Sequence, residues 1–132
     1  MVNPRLCEDL RLLVVEDQPH MNELVGTVVA SLGAKAVTRV TNGHEALAAI
    51  AADPPDILIT DLCMAGLDGL ELVRNIRAMP QPARSVHVIM VTGQRSEESA
   101  RAADEAGVDV FITKPIWTKR LFSALESYVA GW

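Results

Sequence analysis

Cysteine is scarce in this sequence. Cys7 and Cys63 are the only two in 132 residues, they show no metal-ligand or redox spacing, and two are too few for a disulfide scaffold. No apolar run approaches the ~20 residues that a membrane span requires. The opening stretch MVNPRLCEDL has no basic start followed by an apolar segment, so no signal peptide is expected. Basic residues are outnumbered, 12 against 17 acidic, for a formal charge of −5, which argues against direct nucleic-acid binding by this domain. What is present is ordinary for a folded chain. Apolar residues make up 49% and charged residues 22%, which excludes disorder. The length suits one domain, residues 1–132, with its core over about 10–129. A cytoplasmic setting, with no membrane contact, is the expectation.

Short β-branched runs alternate with helix-periodic stretches five times. The strand candidates are Leu12–Glu16, Lys35–Val40, Asp56–Thr60, Val86–Thr92 and Val110–Thr113. Four are nearly continuous apolar runs, the pattern of strands covered on both faces. The second, KAVTRV, carries Lys35, Thr38 and Arg39 and suits an edge. Met21, Leu24, Val25, Val28 and Leu32 predict a first helix that stops at Gly33. Gly43–Ala52 is a second, ended by Asp53-Pro54-Pro55. A third is expected over Gly69–Met79 with Asp68 as its cap. The fourth, near Ser96–Ala106, opens on Glu97 and Glu98 and has an apolar face of Ala100, Ala103 and Ala106, hence weak packing. The fifth sets Leu121, Phe122, Leu125, Tyr128 and Val129 on one face. Strict (βα)₅ alternation with short loops implies an α/β domain, a doubly wound parallel sheet between helices.

In such sheets function collects beyond the carboxyl ends of the strands. The residues there are Glu16 and Asp17 after the first strand, Asp61 after the third, Thr92 at the fourth and Lys114 after the fifth. An Asp after a strand is usually a turn or cap residue, but these groups come together from four places in the chain. Three carboxylates around open positions suit Mg²⁺. A carboxylate can also attack a phosphoryl group to give an acyl phosphate, with a cation and a hydroxyl meeting the phosphoryl oxygens. The residues therefore read as metal-assisted phosphoryl transfer onto a carboxylate. His20, His44 and His87 have no partners at ligand spacing and read as surface or cap residues. Met64 reads as core, and Trp117 as either core or exposed for a partner.

The segments LLVVED, ITDLCMAGLDGLEL, VIMVTG and FITKP, in this order and spacing, resemble the response-regulator receiver domain of two-component signalling. The resemblance spans about Leu10 to Val129. It implies the flavodoxin-like strand order 2-1-3-4-5, which receiver proteins exemplify. It implies that Asp61 accepts a phosphoryl group from a phosphohistidine on a histidine kinase or histidine phosphotransfer protein. Asp17, Asp61 and the backbone carbonyl of Cys63 would ligate Mg²⁺, and Glu16 would act through bound water. Thr92 and Lys114 would meet the phosphoryl group. Phe111 would be a switch aromatic coupled to Thr92. Because alanines alone hold the face of the fourth helix, the surface of the fourth helix, fifth strand and fifth helix is the expected output face. Cys63 and Gln94 would tune dephosphorylation, and the Lys114–Pro115 bond matches one that is often cis. Ala65 stands where the family usually has proline, which implies a less rigid loop, and Phe111 lacks the hydroxyl of the commoner tyrosine. No cofactor besides Mg²⁺ is implied. The domain would catalyse its own phosphotransfer and slow dephosphorylation without being an enzyme in its own right.

Two other classes lose on position. An aspartyl-phosphate phosphatase would carry its nucleophile in a DxDxT-type motif after the first strand, where Glu16-Asp17-Gln18 stands. A flavin- or nucleotide-binding module would want a Gly- or Ser/Thr-rich loop there, and Gln18-Pro19-His20 offers none. No output segment follows the fifth helix before residue 132. A stand-alone receiver, a phosphorelay intermediate and a receiver belonging to a longer chain all fit, with the last two favoured and with cognate kinase, output and oligomeric state open.

Overall fold

A computed structural model describes residues 3–93, 96–114 and 117–131. Five strands alternate with five helices: β1 Arg11–Val15, α1 Pro19–Ser31, β2 Ala36–Val40, α2 Gly43–Ala52, β3 Ile57–Thr60, α3 Gly69–Arg77, β4 His87–Thr92, α4 Glu97–Ala106, β5 Val110–Thr113 and α5 Trp117–Val129. All pairings are parallel and the order is β2-β1-β3-β4-β5. The doubly wound α/β expectation and the implied order both hold.

Alternation along the strands divides the core in two. Leu13, Val15, Leu58, Val88 and Met90 pack with Ile50, Leu72, Ile76, Ala103 and Ala106 beneath α2, α3 and α4. Leu12, Val14, Ile57, Ile59, Ile89, Val91 and Ile112 face Val25, Val29, Leu121 and Leu125 of α1 and α5. Trp117 joins this second layer and is buried, so of its two readings the core one is correct. Met64 is buried as expected. β2 is the exposed edge that its charges announced.

The helix ends have local causes. Pro19 occupies the first turn of α1. Asn42 and Asp68 accept from the amides of Glu45 and Glu71 at 2.8 and 2.9 Å, capping α2 and α3. Ser96 caps α4 through the amide of Ser99 at 3.0 Å. Gly33 and Gly107 end α1 and α4 at φ of 87° and 101°, a backbone region that disfavours a Cβ.

Several expectations are corrected. β1 ends at Val15, so Glu16 stands in the loop, and β2, β3 and β4 each begin one residue later than expected. Asp56 is drawn out of β3 because its carboxylate accepts from the amide of Arg11 at 2.8 Å. α3 ends at Arg77, not Met79. On α1 the buried stripe is Asn22, Val25 and Val29, leaving Leu24 exposed. Ala100 of α4 and Val129 of α5 are also exposed, so only Ala103 and Ala106 bury the α4 face. His87 is half-buried, its ring 4.9 Å from that of Tyr128 and its Nδ1 3.7 Å from Asp109.

Candidate functional site

Because the strands are parallel, their carboxyl ends share one rim, and the loops there carry the acidic residues. Glu16 follows β1 and is buried at 3% exposure, with one carboxylate oxygen, Oε2, lacking a hydrogen-bond partner. Burial, and then the neighbouring Asp61 charge, push its pKa up to about 7, against the pull of Lys114. Asp17 also raises it, as does a hydrogen bond with Asp61. The charges of Asp17, Asp61 and Lys114 thus all act on the buried Glu16 carboxylate.

The two Asp carboxylates are engaged by backbone. Oδ1 of Asp61 accepts from the amides of Leu62 and Cys63 at 2.7 and 3.4 Å. Oδ2 of Asp17 accepts from the amide of Ala65 at 3.2 Å. Among the described residues, no three Asp, Glu, His or Cys side chains are arranged to hold a metal ion. The donor set nonetheless fits a hard divalent cation. A buried carboxylate oxygen without a partner, set among two further carboxylates, is relieved by positive charge.

Thr92 ends β4 and is buried, and its carbonyl accepts from the amide of Lys114 at 2.9 Å, tying the ends of β4 and β5 together. Cys63 is exposed on the loop after Asp61, where burial and then the charges of Asp61, Asp68 and Asp17 raise its thiol pKa. Phe111 lies beyond this rim. It is half-buried and lines a surface cleft of about 430 Å³ with Ser96, Glu97, Ala100, Thr113 and Arg120. A larger groove, about 760 Å³, runs between the loop after β3 and α4, past Cys63, Met64, Asp68 and Glu98. Gln94 and Pro115, and with Pro115 the bond to Lys114, lie outside the described residues.

Two contributors escaped the sequence reading. Gly69 opens α3 directly against Asp61, and a Cβ there would collide with the Asp61 carbonyl. Glycine lets α3 begin this close to the acidic loop. Asn22 lies on the buried stripe of α1 and donates to the carbonyls of Glu16 and Val40 at 3.0 and 2.9 Å. Its signal was a polar residue three before Val25 and seven before Val29.

A doubly wound parallel sheet in the order β2-β1-β3-β4-β5, with acidic loops at its carboxyl rim, defines a flavodoxin-like α/β protein, a fold in which ligands bind beyond the carboxyl ends of the strands. Residues 12–126 match the family profile of the response regulator receiver domain, and the chain belongs to that family. It is 33% identical over 91% of its length to the uncharacterized transcriptional regulatory protein YesN of Bacillus subtilis, of which it spans 32%. It is 29% identical to the chemotaxis protein CheY-3 of Vibrio cholerae, over 92% of both chains. A putative response regulator from Chloroflexus aurantiacus superposes with a TM-score of 0.84 at 30% identity, covering 92% of this chain and 98% of that one. Phosphorylation and Mg²⁺ are typical of this family of two-component signalling domains. No described helix is long and apolar enough to cross a membrane.

Proposed function

We propose that this domain is a phosphorylatable switch in which Asp61 takes a phosphoryl group from a phosphohistidine on a histidine kinase or histidine phosphotransfer protein. The observation that carries the reading is the buried, charge-strained Glu16 carboxylate facing both Asp61 and Lys114. An Asp61 carboxylate oxygen attacks phosphorus. The P–N bond of the donor breaks, and its electron pair stays on the imidazole nitrogen, which takes up a proton. Lys114 meets the phosphoryl charge, and Thr92 supplies a hydroxyl beside it. Asp17, Asp61 and the Cys63 carbonyl would hold Mg²⁺, with Glu16 reaching it through water. The ion supplies charge neutralisation for the carboxylates and the phosphoryl oxygens.

By the family resemblance, the identities of Cys63 and Gln94 would set how fast water removes the group. Phosphotransfer and slow self-dephosphorylation are then the whole of the chemistry, and the output is a changed surface on α4, β5 and α5. On this reading the domain works in the cytosol, and Mg²⁺ is its one cofactor. The test is incubation with acetyl phosphate and Mg²⁺, followed by intact-mass measurement. The protein should gain one phosphoryl group that withstands acid and is lost in base or hydroxylamine. Equal labelling of Asp61→Ala would overturn the assignment.

A further inference from the structure

We propose that Asn22 is a positioning residue for this chemistry, holding the backbone of Glu16 so that the Glu16 and Asp17 carboxylates point into the site. The inference rests on the phosphoacceptor reading above.

Asn22 is 6% exposed, in the second turn of a helix whose other buried residues are Val25 and Val29. A buried asparagine is costly at such a place. Its helix propensity is poor, and its amide must be satisfied away from water. A leucine would fill the stripe at no such cost. What Asn22 does is bind two carbonyls at the carboxyl rim, with both bonds from Nδ2: Glu16 O at 3.0 Å and Val40 O at 2.9 Å. Glu16 is thereby held from both sides, because its own amide donates to Val40 O at 3.2 Å. The helix and β2 thus grip the one residue that turns the chain out of β1 into the acidic loop. Asp17 follows immediately and reaches across to Ala65. Rotation of the Glu16 peptide would swing both carboxylates, and Asn22 is the side chain that resists it. Groups that orient metal-binding carboxylates in this way are commonly worth about 10–100-fold in metal affinity.

The variant of choice is Asn22→Leu, which keeps the branched heavy-atom shape, improves helix propensity and removes both donors. Asn22→His keeps one donor at similar reach. Val29→Ala opens a cavity in the same helix without touching the loop and controls for lost stability. Each is titrated with Mg²⁺ by backbone NMR, labelled with acetyl phosphate over a range of Mg²⁺ concentrations, and followed by amide exchange without metal. Asn22→Leu should bind Mg²⁺ about tenfold more weakly, exchange its Glu16 and Asp17 amides faster, and recover most of its labelling rate at high Mg²⁺. Asn22→His should fall between it and the wild type, and Val29→Ala should keep wild-type affinity. A folded Asn22→Leu protein with affinity within about twofold of wild type overturns the proposal, as does an equal loss in Val29→Ala. A wild-type protein that neither binds Mg²⁺ nor labels overturns the phosphoacceptor reading itself, and is recognised before any variant is made.

Discussion

The carboxylate of Asp17 and the backbone amide of Ala65 are joined by a 3.2 Å hydrogen bond across 48 residues of sequence. It links the loop after β1 to the loop after β3, and it turns one oxygen of Asp17 towards the chain. A proline at residue 65, the usual identity in the family, has no amide hydrogen and cannot make this bond. The departure noted in the sequence as lost rigidity therefore has a second face. Ala65 adds a link between the two acidic loops, one that would compete with any cation held by Asp17.

Replacing Ala65 with proline should consequently tighten Mg²⁺ binding. An exposed bond to a charged acceptor is worth about 1 kcal/mol, so the dissociation constant should fall several-fold. Asp17→Asn should act in the opposite direction and weaken binding and phosphorylation together. Calorimetric titration of the variants decides it. Unchanged affinity in Ala65→Pro would show that the bond costs the metal nothing, and unchanged affinity in Asp17→Asn would remove Asp17 from the ligand set.

Four of the strands were legible as short apolar runs whose alternate residues meet different helix layers, as Leu12 and Leu13 do, and β2 as a charged edge. The rim residues were legible because parallel strands put Glu16, Asp61 and Lys114 at one edge whatever the loop details. Contacts that depend on distant partners were not. The charge on Asp56 binds the Arg11 amide and shortens β3. His87 finds Asp109 and Tyr128, neither of which lies near it in sequence. Leu24 fits the helical period but falls outside the stripe centred on Val25 and Val29. Asn22 drew no reading because the partners it binds are backbone carbonyls, which carry no signature in a sequence.

Glu16 gives the metal-free protein a pH dependence of definite sign. The groups facing it are Asp61, Asp17 and Lys114, and its pKa rises from 4.5 to about 7. A folded state that binds this proton more tightly than the unfolded chain gains stability at low pH. The gain is fully present below about pH 4.5 and is lost as pH rises through about 7. The full effect is on the order of 3 kcal/mol. In chelator, Glu16→Gln should therefore be more stable than wild type at pH 8, with the advantage shrinking towards pH 5. Saturating Mg²⁺ should cancel it. Denaturant melts at the two pH values check this, and a difference that does not vary with pH would mean that Glu16 is not strained.

Arg77 should matter to stability and not to the site. From the end of α3 its guanidinium donates to the carbonyls of Gly107, Arg84 and Val86 at 2.6–3.1 Å and to Asp109 at 2.9 Å. The same Asp109 oxygen accepts from the amide of Val88 at 2.8 Å. One side chain thus binds the start of β4 to the turn between α4 and β5. Arg77→Leu leaves these acceptors short of donors and should cost about 2–4 kcal/mol. The denaturant midpoint should fall with its slope unchanged, and Mg²⁺ affinity below the transition should stay as in wild type. A loss under about 0.5 kcal/mol would reduce the clasp to a surface contact.

A phosphoryl charge at Asp61 is expected to reach a distant surface through the ends of β4 and β5. A phosphoryl group brings about −1.5 to −2 charges at neutral pH. Lys114 is the cation facing the cluster, and its amide is bonded to the carbonyl of Thr92, so the ends of β4 and β5 move together. Behind them, Met90 pairs with Phe111 across the two strands. Phe111 lines an open cleft against α4 and α5, so its ring has room to change rotamer. Helix α4 resists little at that end, because its buried residues are Ala103 and Ala106, near its C-terminus, while Ala100 is exposed. Two packings of such a face need differ by only a few kcal/mol for a charged ligand to exchange their populations. Beryllofluoride, a phosphoryl mimic, should therefore shift backbone NMR signals along α4, at Phe111 and at the start of α5 as well as around Asp61. Thr92→Ala should still bind the mimic but lose most of the shifts in α4, and Lys114→Ala should lose most of the response everywhere. Shifts confined to the loops around Asp61, with α4 and Phe111 unmoved in the wild type, would show that the output lies on another face.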